Sequence, residues 1–458
     1  MKDLRAFIEH LESTGDLITI NEELSVKFEV GAAIKLLAET DGRAVLFNNI
    51  KEYDTKIIGN LLGTRKRLAM AVGVEEHDLV ATYLERRSKP IRPEVVDDGP
   101  VHEKIILENV DISKLLPILT HHEKDIGPYI TTGVIIAKDP NTGSRGVGIH
   151  RILVKGGNKL GIFLNSPPLS QFLENAEKND QPLEIAISIG VDPVTFFSAA
   201  ISVTPGTDKI EVAGGLAGRP VPLVKCKTIE LEAPANAEFV LEAVVLPNVR
   251  EPEGPFGEST GYYLTYNNPV AEIRAVTHRE YPLYHALMPF SGEEEVLIDF
   301  LWQVEKKEQF LASVKGLKDL HLYFFGLITV AQIEKNSEND AQRILKELMD
   351  KFAWGKTFIA VDTDVDIHNL KDVLWALSTR FQPARDIVLS ENMPGLAIDP
   401  SANQRETTSG KGKVLITETS KIGMDATIPV KEHTKFEKIR VPHTILDRIK
   451  HMLFDLST

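Results

Sequence analysis

Two glutamates lie five residues apart in a stretch rich in glycine and proline. Residues 251–263 read EPEGPFGESTGYY, so Glu253 and Glu258 are separated by Gly254, Pro255, Phe256 and Gly257. Glycine lets a backbone approach a ligand closely and proline stiffens it. Both carboxylates can therefore be held against one bound molecule and exchange protons with it. The alternative is a surface turn whose acids are solvated.

Arg151 is the third residue of interest, because it ends the strand-like stretch Gly148-Ile149-His150. An arginine that projects from a sheet can fork onto a carboxylate of the protein or of an acidic substrate. Paired with one glutamate, it keeps that acid ionised, while the other, less compensated, can carry a proton at neutral pH. A purely structural ion pair fits the same spacing.

The composition sets broad limits. The chain has 458 residues, of which 43% are hydrophobic and 26% charged, and this is typical of a globular protein with about three domains. A net charge of -14 argues against nucleic acid or an anionic membrane as the main partner. A single cysteine, Cys226, excludes an intrachain disulfide and fits a reducing cytosol. No apolar run reaches the roughly 18 residues of a membrane span, so we predict a cytoplasmic, soluble protein.

Three regions differ in their sequence patterns. In residues 1–100, Asp3 caps a predicted helix that stops at Gly15, strands and helices follow, and the proline-containing stretch 88–100 is predicted to be a linker. Residues 101–292 are dominated by predicted strands at 129–138, 147–155, 160–164, 183–189 and 221–228. These strands predict a β-meander that curls into a small barrel with a cofactor at its mouth.

From about residue 291 the pattern changes to alternating helices and strands. A long helix is predicted at 294–314, and the alternation beyond it, with a strand at 322–330, indicates a parallel sheet covered by helices. Residues 444–454 have helical spacing of apolar side chains. This last helix is predicted to dock either on a partner subunit or within the chain.

Several motifs in this order resemble the UbiD family of decarboxylases. They are EGPFGE at 253–258 with Gly261-Tyr262, THHEKDIGPY at 120–129, GIHR at 148–151, Ala213-Gly214 with Leu216, and PARD at 383–386. The resemblance implies a mixed α/β (α+β) fold. Its parts are an N-terminal α/β domain (1–100), a split-barrel cofactor-binding domain (101–292), a linker helix (293–318) and a C-terminal α/β domain with a terminal docking helix (319–458).

The resemblance also implies a mechanism based on prenylated FMN. The azomethine ylide of this cofactor adds to an aromatic or α,β-unsaturated acid, so that CO2 can leave. By position, Glu258 is expected to donate the proton, while Arg151 orients the substrate carboxylate and pairs with Glu253. The expected cofactor-binding residues are Ile149, His150, Arg151, Phe163, Leu164, Asn165 and Lys209. His285, Met288 and Pro289 fall in the family's substrate-side segment, where a packing role is equally consistent with the sequence.

The chain departs from the family at the metal site beside the cofactor phosphate. Gly146, Pro167 and Lys209 stand where most members have the asparagine, histidine and glutamate that bind a divalent metal. None of these three is an ordinary Mg²⁺ or Mn²⁺ ligand, so a resident metal is not expected. Either Lys209 supplies the positive charge directly, or the usual cofactor is bound differently or not at all.

The resemblance thus implies a reversible, non-oxidative decarboxylase of a small aromatic or α,β-unsaturated acid, with CO2 as product. A flavin prenyltransferase is expected to supply the cofactor, and the protein is expected to be a homodimer or a larger homo-oligomer. Two alternatives stay open. One is a non-catalytic subunit of a multi-component carboxylase or a pseudoenzyme without the cofactor, and the other is a decarboxylase of a phosphorylated isoprenoid acid.

Overall fold

The computed structural model of the chain describes residues 3–204, 206–409, 412–439 and 441–454. The chain divides into two compact units, Met1–Val304 with Ile398–Pro400, and Glu305–Ala397 with Ser401–Thr458. Both units combine helices and sheets, which confirms the predicted α/β class. The domain ranges predicted from the sequence stay a prediction, since compactness does not show which segments fold on their own.

The helices of the first unit are α1 (Leu4–Thr14), α2 (Glu29–Thr40), α3 (Arg65–Val72), α4 (Leu79–Arg87), α5 (Ile112–Leu115), α6 (Leu169–Lys178), α7 (Pro193–Ala200), α8 (Lys209–Ala217) and α9 (Gly292–Leu301). Helix α1 confirms its prediction in detail. The Asp3 side chain accepts a hydrogen bond from the Ala6 amide, and Gly15 ends the helix in the left-handed conformation.

The strands of this unit are β1 (Leu17–Ile20), β2 (Ala44–Phe47), β3 (Lys56–Gly59), β4 (Glu94–Val95), β5 (Lys104–Ile106), β6 (Tyr129–Ile130), β7 (Val134–Lys138), β8 (Arg145–Ile149), β9 (Ile152–Val154), β10 (Lys159–Ile162), β11 (Leu183–Ile189), β12 (Pro222–Lys225), β13 (Glu232–Pro234), β14 (Phe239–Gly257), β15 (Tyr263–His278) and β16 (Leu283–Ala286). One sheet has the order β1-β2-β3-β16. A second, larger sheet has the order β6-β9-β10-β15-β14-β11-β7-β8, and β5 pairs with β15.

The larger sheet curls back on itself. Strands β8 and β9 lie near opposite ends of the strand order, yet only His150 and Arg151 separate them along the chain. Three peptide units span at most about 11 Å, so the two ends of the sheet must come close together. Residues 131–133 also connect the two ends of the strand order, because they join β6 to β7. Arg151 therefore lies where the curled sheet nearly closes.

Several predictions for this region were wrong. The sheet is not a meander, because its strand order does not follow the chain. The predicted strand 221–228 is observed as β12, which belongs to a separate sheet with the order β13-β12-β4. Strand β4 lies inside the predicted linker 88–100 and pairs in parallel with β12. Val95 and Val96 are the one pair of adjacent strand-forming residues in this proline-containing stretch, and so short a run does not predict a strand.

The second unit contains α10 (Lys307–Ser313), α11 (Asp340–Lys351), α12 (Leu370–Arg380), α13 (Pro383–Asp386) and α14 (His443–Phe454), with strands β17 (Leu317–Tyr323), β18 (Ile328–Ile333), β19 (Thr357–Asp362), β20 (Ile387–Pro394), β21 (Asn403–Ser409) and β22 (Gly412–Asp425). Strands β18, β19 and β22 are parallel, as the alternating pattern predicted. The predicted strand 322–330 was wrong, because Phe324, Phe325 and Gly326 have positive φ and form the turn between β17 and β18. The predicted helix 294–314 is observed as α9 and α10, with a π-helical turn at Trp302–Lys306 between them.

Helix α14 presents apolar side chains to solvent. Ile445 and Leu446 are 42% and 40% exposed, and Met452 and Leu453 are 53% and 57% exposed. These apolar side chains are exposed within the described part of the chain, and docking on a partner subunit or within the chain stays a prediction. No helix among the described residues is both long and apolar enough to cross a membrane.

Candidate active site

Glu253 and Glu258 lie on a long β-hairpin rather than in the loop that the glycines and prolines suggested. Glu253 belongs to β14, and Glu258 directly follows the end of that strand. Glu253 is paired with Tyr266 and Phe256 with Leu264, so two residues of β14, Gly254 and Pro255, stand opposite one residue of β15. In a regular strand, residues five apart face opposite sides. The extra residue of this bulge reduces the effective spacing to four, which brings both carboxylates to one face.

Gly254 is required by the shape of this bulge. Its φ of +116° is a conformation that side chains disfavour, and a Cβ there would lie 2.5 Å from the Leu264 carbonyl oxygen. We expect Gly254→Ala to lower the free energy of unfolding by about 1–3 kcal/mol, measured by urea denaturation. Gly156→Ala is the matched control, because Gly156 has a φ of +97° but a Cβ at that position would have no atoms within 4 Å. Equal losses for the two variants would contradict the role of the bulge.

The structure brings the three predicted chemical residues together. Arg151 Nε and Nη2 donate to Glu253 Oε1 and Oε2 over 3.1 and 2.7 Å, so this pair is bidentate. Arg151 Nη1 contacts Glu258 Oε1 on its other edge. Asn268 Nδ2 also donates to Glu253 Oε2, over 2.8 Å. Glu253 has no exposed surface and both partners are buried, so the guanidinium lies between two carboxylates that are shielded from water.

Aromatic rings surround this arginine. Its guanidinium carbon lies 4.2 Å from the ring centre of Phe163, 4.9 Å from that of Phe256 and 5.7 Å from that of Tyr266. Tyr129 packs against Phe256 with ring centres 4.3 Å apart. Burial, reinforced by the nearby charge of Glu253, raises the pKa of Tyr129. These rings exclude water and lower the local dielectric constant, which strengthens the attraction between Arg151 and its two carboxylates.

The segment 120–129 is bound to the hairpin through Asp125. Asp125 Oδ2 accepts hydrogen bonds from the amides of His121 and His122, over 3.2 and 2.8 Å. Asp125 Oδ1 accepts one from the Gly257 amide over 2.9 Å. Burial opposes ionisation of this carboxyl, but the hydrogen bonds from His122 and Gly257 outweigh it, and the pKa of Asp125 lies below its usual value. A side chain at position 257 would collide with the His122 ring, so this approach requires glycine.

The predicted cofactor-binding residues come from neighbouring segments. Ile149 ends β8, while Phe163, Leu164 and Asn165 follow β10. His150 Nδ1 lies 2.9 Å from the Phe163 carbonyl oxygen. Burial, together with the charge of Lys209, lowers the pKa of His150 to about 4, so its ring is neutral at physiological pH. Lys209 is the first residue of α8, and its Nζ donates to the Ala199 carbonyl over 2.9 Å.

The positions that the resemblance assigns to the metal ligands carry Gly146, Pro167 and Lys209. A Cβ at Gly146 would collide with the Phe172 ring, so no larger side chain fits there without rearrangement. Pro167 has no ligand atom in its side chain, and Lys209 is a cation. Among the described residues, no group of three or more histidine, cysteine, aspartate or glutamate side chains is arranged to hold a metal.

Of the predicted substrate residues, His285 lies in the core. Its ring is fully buried, its Nε2 lies 3.1 Å from Glu293 Oε1, and it packs edge-on against Phe196 at 4.8 Å. This placement is compatible with the packing alternative, while His285 Nδ1 has no hydrogen-bond partner in the described part of the chain, so the substrate role stays a prediction. Met288 and Pro289 are buried as well, and Met288 belongs to the apolar core around the larger sheet.

Other residues of the site were not assigned a role from the sequence. His121, Asp125 and Tyr129 lie in a motif that supported the family resemblance, and their types alone do not show that they contact the hairpin. No sequence pattern indicates a role for Asn268, because its contact with Glu253 depends on the pairing of β14 with β15.

Comparison with known proteins identifies the class to which this fold and site belong. Family profiles for the N-terminal, Rift-related and C-terminal domains of 3-octaprenyl-4-hydroxybenzoate carboxy-lyase match residues 8–87, 94–292 and 295–426. The chain belongs to the UbiD family of carboxy-lyases, which confirms the resemblance seen in the sequence.

Individual relatives are similar over nearly their whole length. Anhydromevalonate phosphate decarboxylase of Methanothermobacter thermautotrophicus is 30% identical, with 95% of this chain and 99% of that protein covered. Phenolic acid decarboxylase of Bacillus subtilis is 31% identical, with 95% and 94% covered. The UbiD-class enzyme HmfF of Pelotomaculum thermopropionicum, solved with FMN, is 35% identical with a TM-score of 0.87, and 99% of this chain and 100% of that chain are covered. An evolved dimeric form of HmfF, solved with prFMN, is 35% identical with a TM-score of 0.82, covering 96% and 97%.

The residues around Arg151 suit a flavin. The Tyr129 hydroxyl faces Glu253, and one ring nitrogen of His121 faces the Leu287 backbone. The second His121 nitrogen is buried without a hydrogen bond in the described part of the chain, and a bound polar molecule would supply its partner. Phe163 and Tyr266, whose rings stack 4.9 Å apart, add flat apolar surface.

Proposed function

We propose that this protein catalyses the reversible, non-oxidative decarboxylation of an aromatic or α,β-unsaturated carboxylic acid with prenylated FMN. The observation that carries the proposal is Arg151, buried between Glu253 and Glu258. Prenylated FMN, when bound, would supply the electron sink for the pair that stays on the substrate carbon as CO2 departs. The flavin-bound structures of HmfF support this choice of cofactor.

Each residue of the site has a distinct task in this reaction. Glu253 accepts hydrogen bonds from Nε and Nη2 of Arg151. The remaining nitrogen, Nη1, is therefore the one that a substrate carboxylate can bind. A substrate carboxylate bound at Nη1 takes the place of Glu258. Glu258 then loses its compensating charge in a buried site, which favours its protonated form. After CO2 leaves, Glu258 gives this proton to the carbon from which CO2 departed, and in the carboxylation direction it removes the proton.

The first test is to produce the protein together with a flavin prenyltransferase. Native mass spectrometry and absorbance spectroscopy then show whether prenylated FMN is bound. A panel of phenolic, heteroaromatic and phosphorylated isoprenoid acids follows, with loss of each acid and release of CO2 as readouts. The phosphorylated acid belongs in the panel because the two decarboxylase relatives are almost equally identical to this chain. Absence of any flavin would favour the non-catalytic subunit or pseudoenzyme alternative.

For the phosphate of the cofactor, we propose that Lys209 supplies the charge that a metal supplies in most members. Support comes from its position at the start of α8, beside His150, and from the mismatch of Gly146 and Pro167 with any ligand role. The tasks assigned to Arg151 and Glu258 do not involve a metal.

We expect Lys209→Ala to weaken flavin binding by about 10- to 100-fold, because it removes a charge-assisted hydrogen bond to phosphate. The measurement is the flavin content after purification, determined by absorbance, in buffer with and without EDTA. Lys225→Ala is the control, since Lys225 is an exposed lysine on β12. Undiminished flavin in Lys209→Ala would contradict the proposal, and so would flavin loss on EDTA treatment of the unaltered protein.

The exposed apolar side chains of α14 support a homo-oligomer. We propose that the protein associates with further copies of itself, and the solved dimeric form of HmfF is consistent with this.

A further inference from the structure

Glu294, in the first turn of α9, contacts the turn that follows Glu258. Ser259 Oγ donates to Glu294 Oε1 over 2.8 Å, and the Phe290 amide donates to Glu294 Oε2 over 2.7 Å. Ser259 is next to Glu258, and its amide donates to Glu258 Oε2 over 3.2 Å. One serine therefore contacts both carboxyls, through its hydroxyl and its amide.

The turn that carries Glu258 lies outside the strand ladder. Strand β14 ends at Gly257 and β15 begins at Tyr263, so residues 258–262 depend on other contacts. Within the turn, the Glu258 amide donates to the Tyr262 carbonyl and the Gly261 amide to the Glu258 carbonyl. Glu294 adds the link between this turn and Phe290. The Phe290 ring also lies against the turn, because a Cβ at position 261 would be 3.4 Å from this ring.

We propose that Glu294 is a positioning residue for Glu258. Through Ser259 and Phe290 it helps to fix the 258–262 turn, which the Thr260 hydroxyl also anchors by donating to the Ile398 carbonyl over 2.8 Å, and so it contributes to where the Glu258 carboxyl delivers its proton. This role rests on the proposed function. A displacement of about 1 Å in a catalytic group is enough to cost about 10²-fold in rate, so a hydrogen bond at the base of the turn is significant for catalysis.

The ionisation of Glu294 is sensitive to its surroundings. Burial raises the pKa of Glu294, and the negative charge of Glu295 on the same helix raises it further. The hydrogen bonds from Phe290 and Ser259, and His122 on the 120–129 segment, lower this pKa but do not cancel the increase. Lys35 on α2 donates to the Phe290 carbonyl and brings a further positive charge to this region. Glu294 is thus a carboxyl whose protonation responds to pH closer to neutrality than that of an exposed glutamate.

The test compares variants at both ends of the Ser259–Glu294 bond. We expect Ser259→Ala and Glu294→Ala each to lower kcat by about 10- to 100-fold with little change in KM, because substrate contacts are intact. The double variant is expected to be no slower than Glu294→Ala, since both changes break the same link. Ser259→Thr keeps the hydroxyl and is expected to retain most of kcat. Glu295→Gln is the control, on the same helix turn but without a hydrogen bond to Ser259.

A pH profile separates positioning from simple packing. Glutamine at position 294 cannot ionise. We therefore expect the pH at which kcat falls on the acid side to shift in Glu294→Gln, while the flavin content equals that of the unaltered protein. Additive effects in the double variant, or unchanged kcat in Ser259→Ala, would overturn the role of Glu294. If Glu294→Ala does not fold, Ser259→Ala alone still decides. A flavin-loaded but inactive parent protein overturns the proposed function, whereas an active parent with unaffected variants overturns only this inference.

Discussion

Glu258→Gln is expected to lower the decarboxylation rate by about 10²- to 10⁴-fold while the flavin content stays the same. Glutamine has nearly the same shape as glutamate but carries no transferable proton, and loss of a general acid typically costs this much. The rate is measured at saturating acid substrate, by CO2 release and by loss of substrate absorbance. The expected effect is on kcat, because the substrate carboxylate binds Arg151 rather than Glu258.

Glu251→Gln is the matched control for this prediction. Glu251 lies on β14, the strand that Glu258 follows, is partly exposed and pairs with Lys155 and Lys159, with no contact to Arg151 among its hydrogen bonds. Its activity is expected to equal that of the unaltered protein. A Glu258→Gln variant that retained more than about a tenth of the rate would remove Glu258 from the role of proton donor.

Arg151→Met is expected to lower the free energy of unfolding by about 3–5 kcal/mol and to abolish activity. The variant leaves Glu253 without its bidentate partner at a position with no exposed surface, and an uncompensated buried charge has this cost. The measurement is urea-induced unfolding at neutral pH, followed by circular dichroism.

A second variant separates stability from chemistry. In Arg151→Met/Glu253→Gln the buried charge is gone, so most of the lost stability is expected to return while activity is not. Arg250→Met is the surface control, because Arg250 pairs with the partly exposed Glu177 and such pairs contribute about 0–1 kcal/mol. Recovery of activity in the double variant would show that Arg151 only compensates Glu253.

The contact of Arg151 with Glu253 and Glu258 agrees with the sequence, in which the types and order of these residues are informative, while their chemical roles stay a prediction. Arg151, Glu253 and Glu258 stood out by charge within glycine-rich segments, and helix α1 followed from a cap, an apolar period and a glycine stop. These are local patterns, which one stretch of sequence contains in full. The same holds for the strand–helix alternation of the second unit.

Nonlocal features could not be predicted in this way. Strand β14 contains prolines and glycines and β15 contains Asn267-Asn268-Pro269, all of which normally indicate turns, and long-range pairing overrode this local preference. The place of β12 in a separate sheet, the core position of His285 and the contact of Asn268 with Glu253 all depend on which distant segments meet. No periodicity in a single sequence contains that information.

The bulge at Gly254-Pro255 has a consequence for protein engineering and for the evolution of this hairpin. Because side chains alternate between faces, removing one of these two residues would turn Glu258 away from Arg151 and point a neighbour of Glu258 inwards instead. The segment between the two glutamates is therefore constrained in its length as well as in the glycines at positions 254 and 257. Libraries that aim to alter the substrate range should vary composition around the hairpin and keep the register of β14 constant.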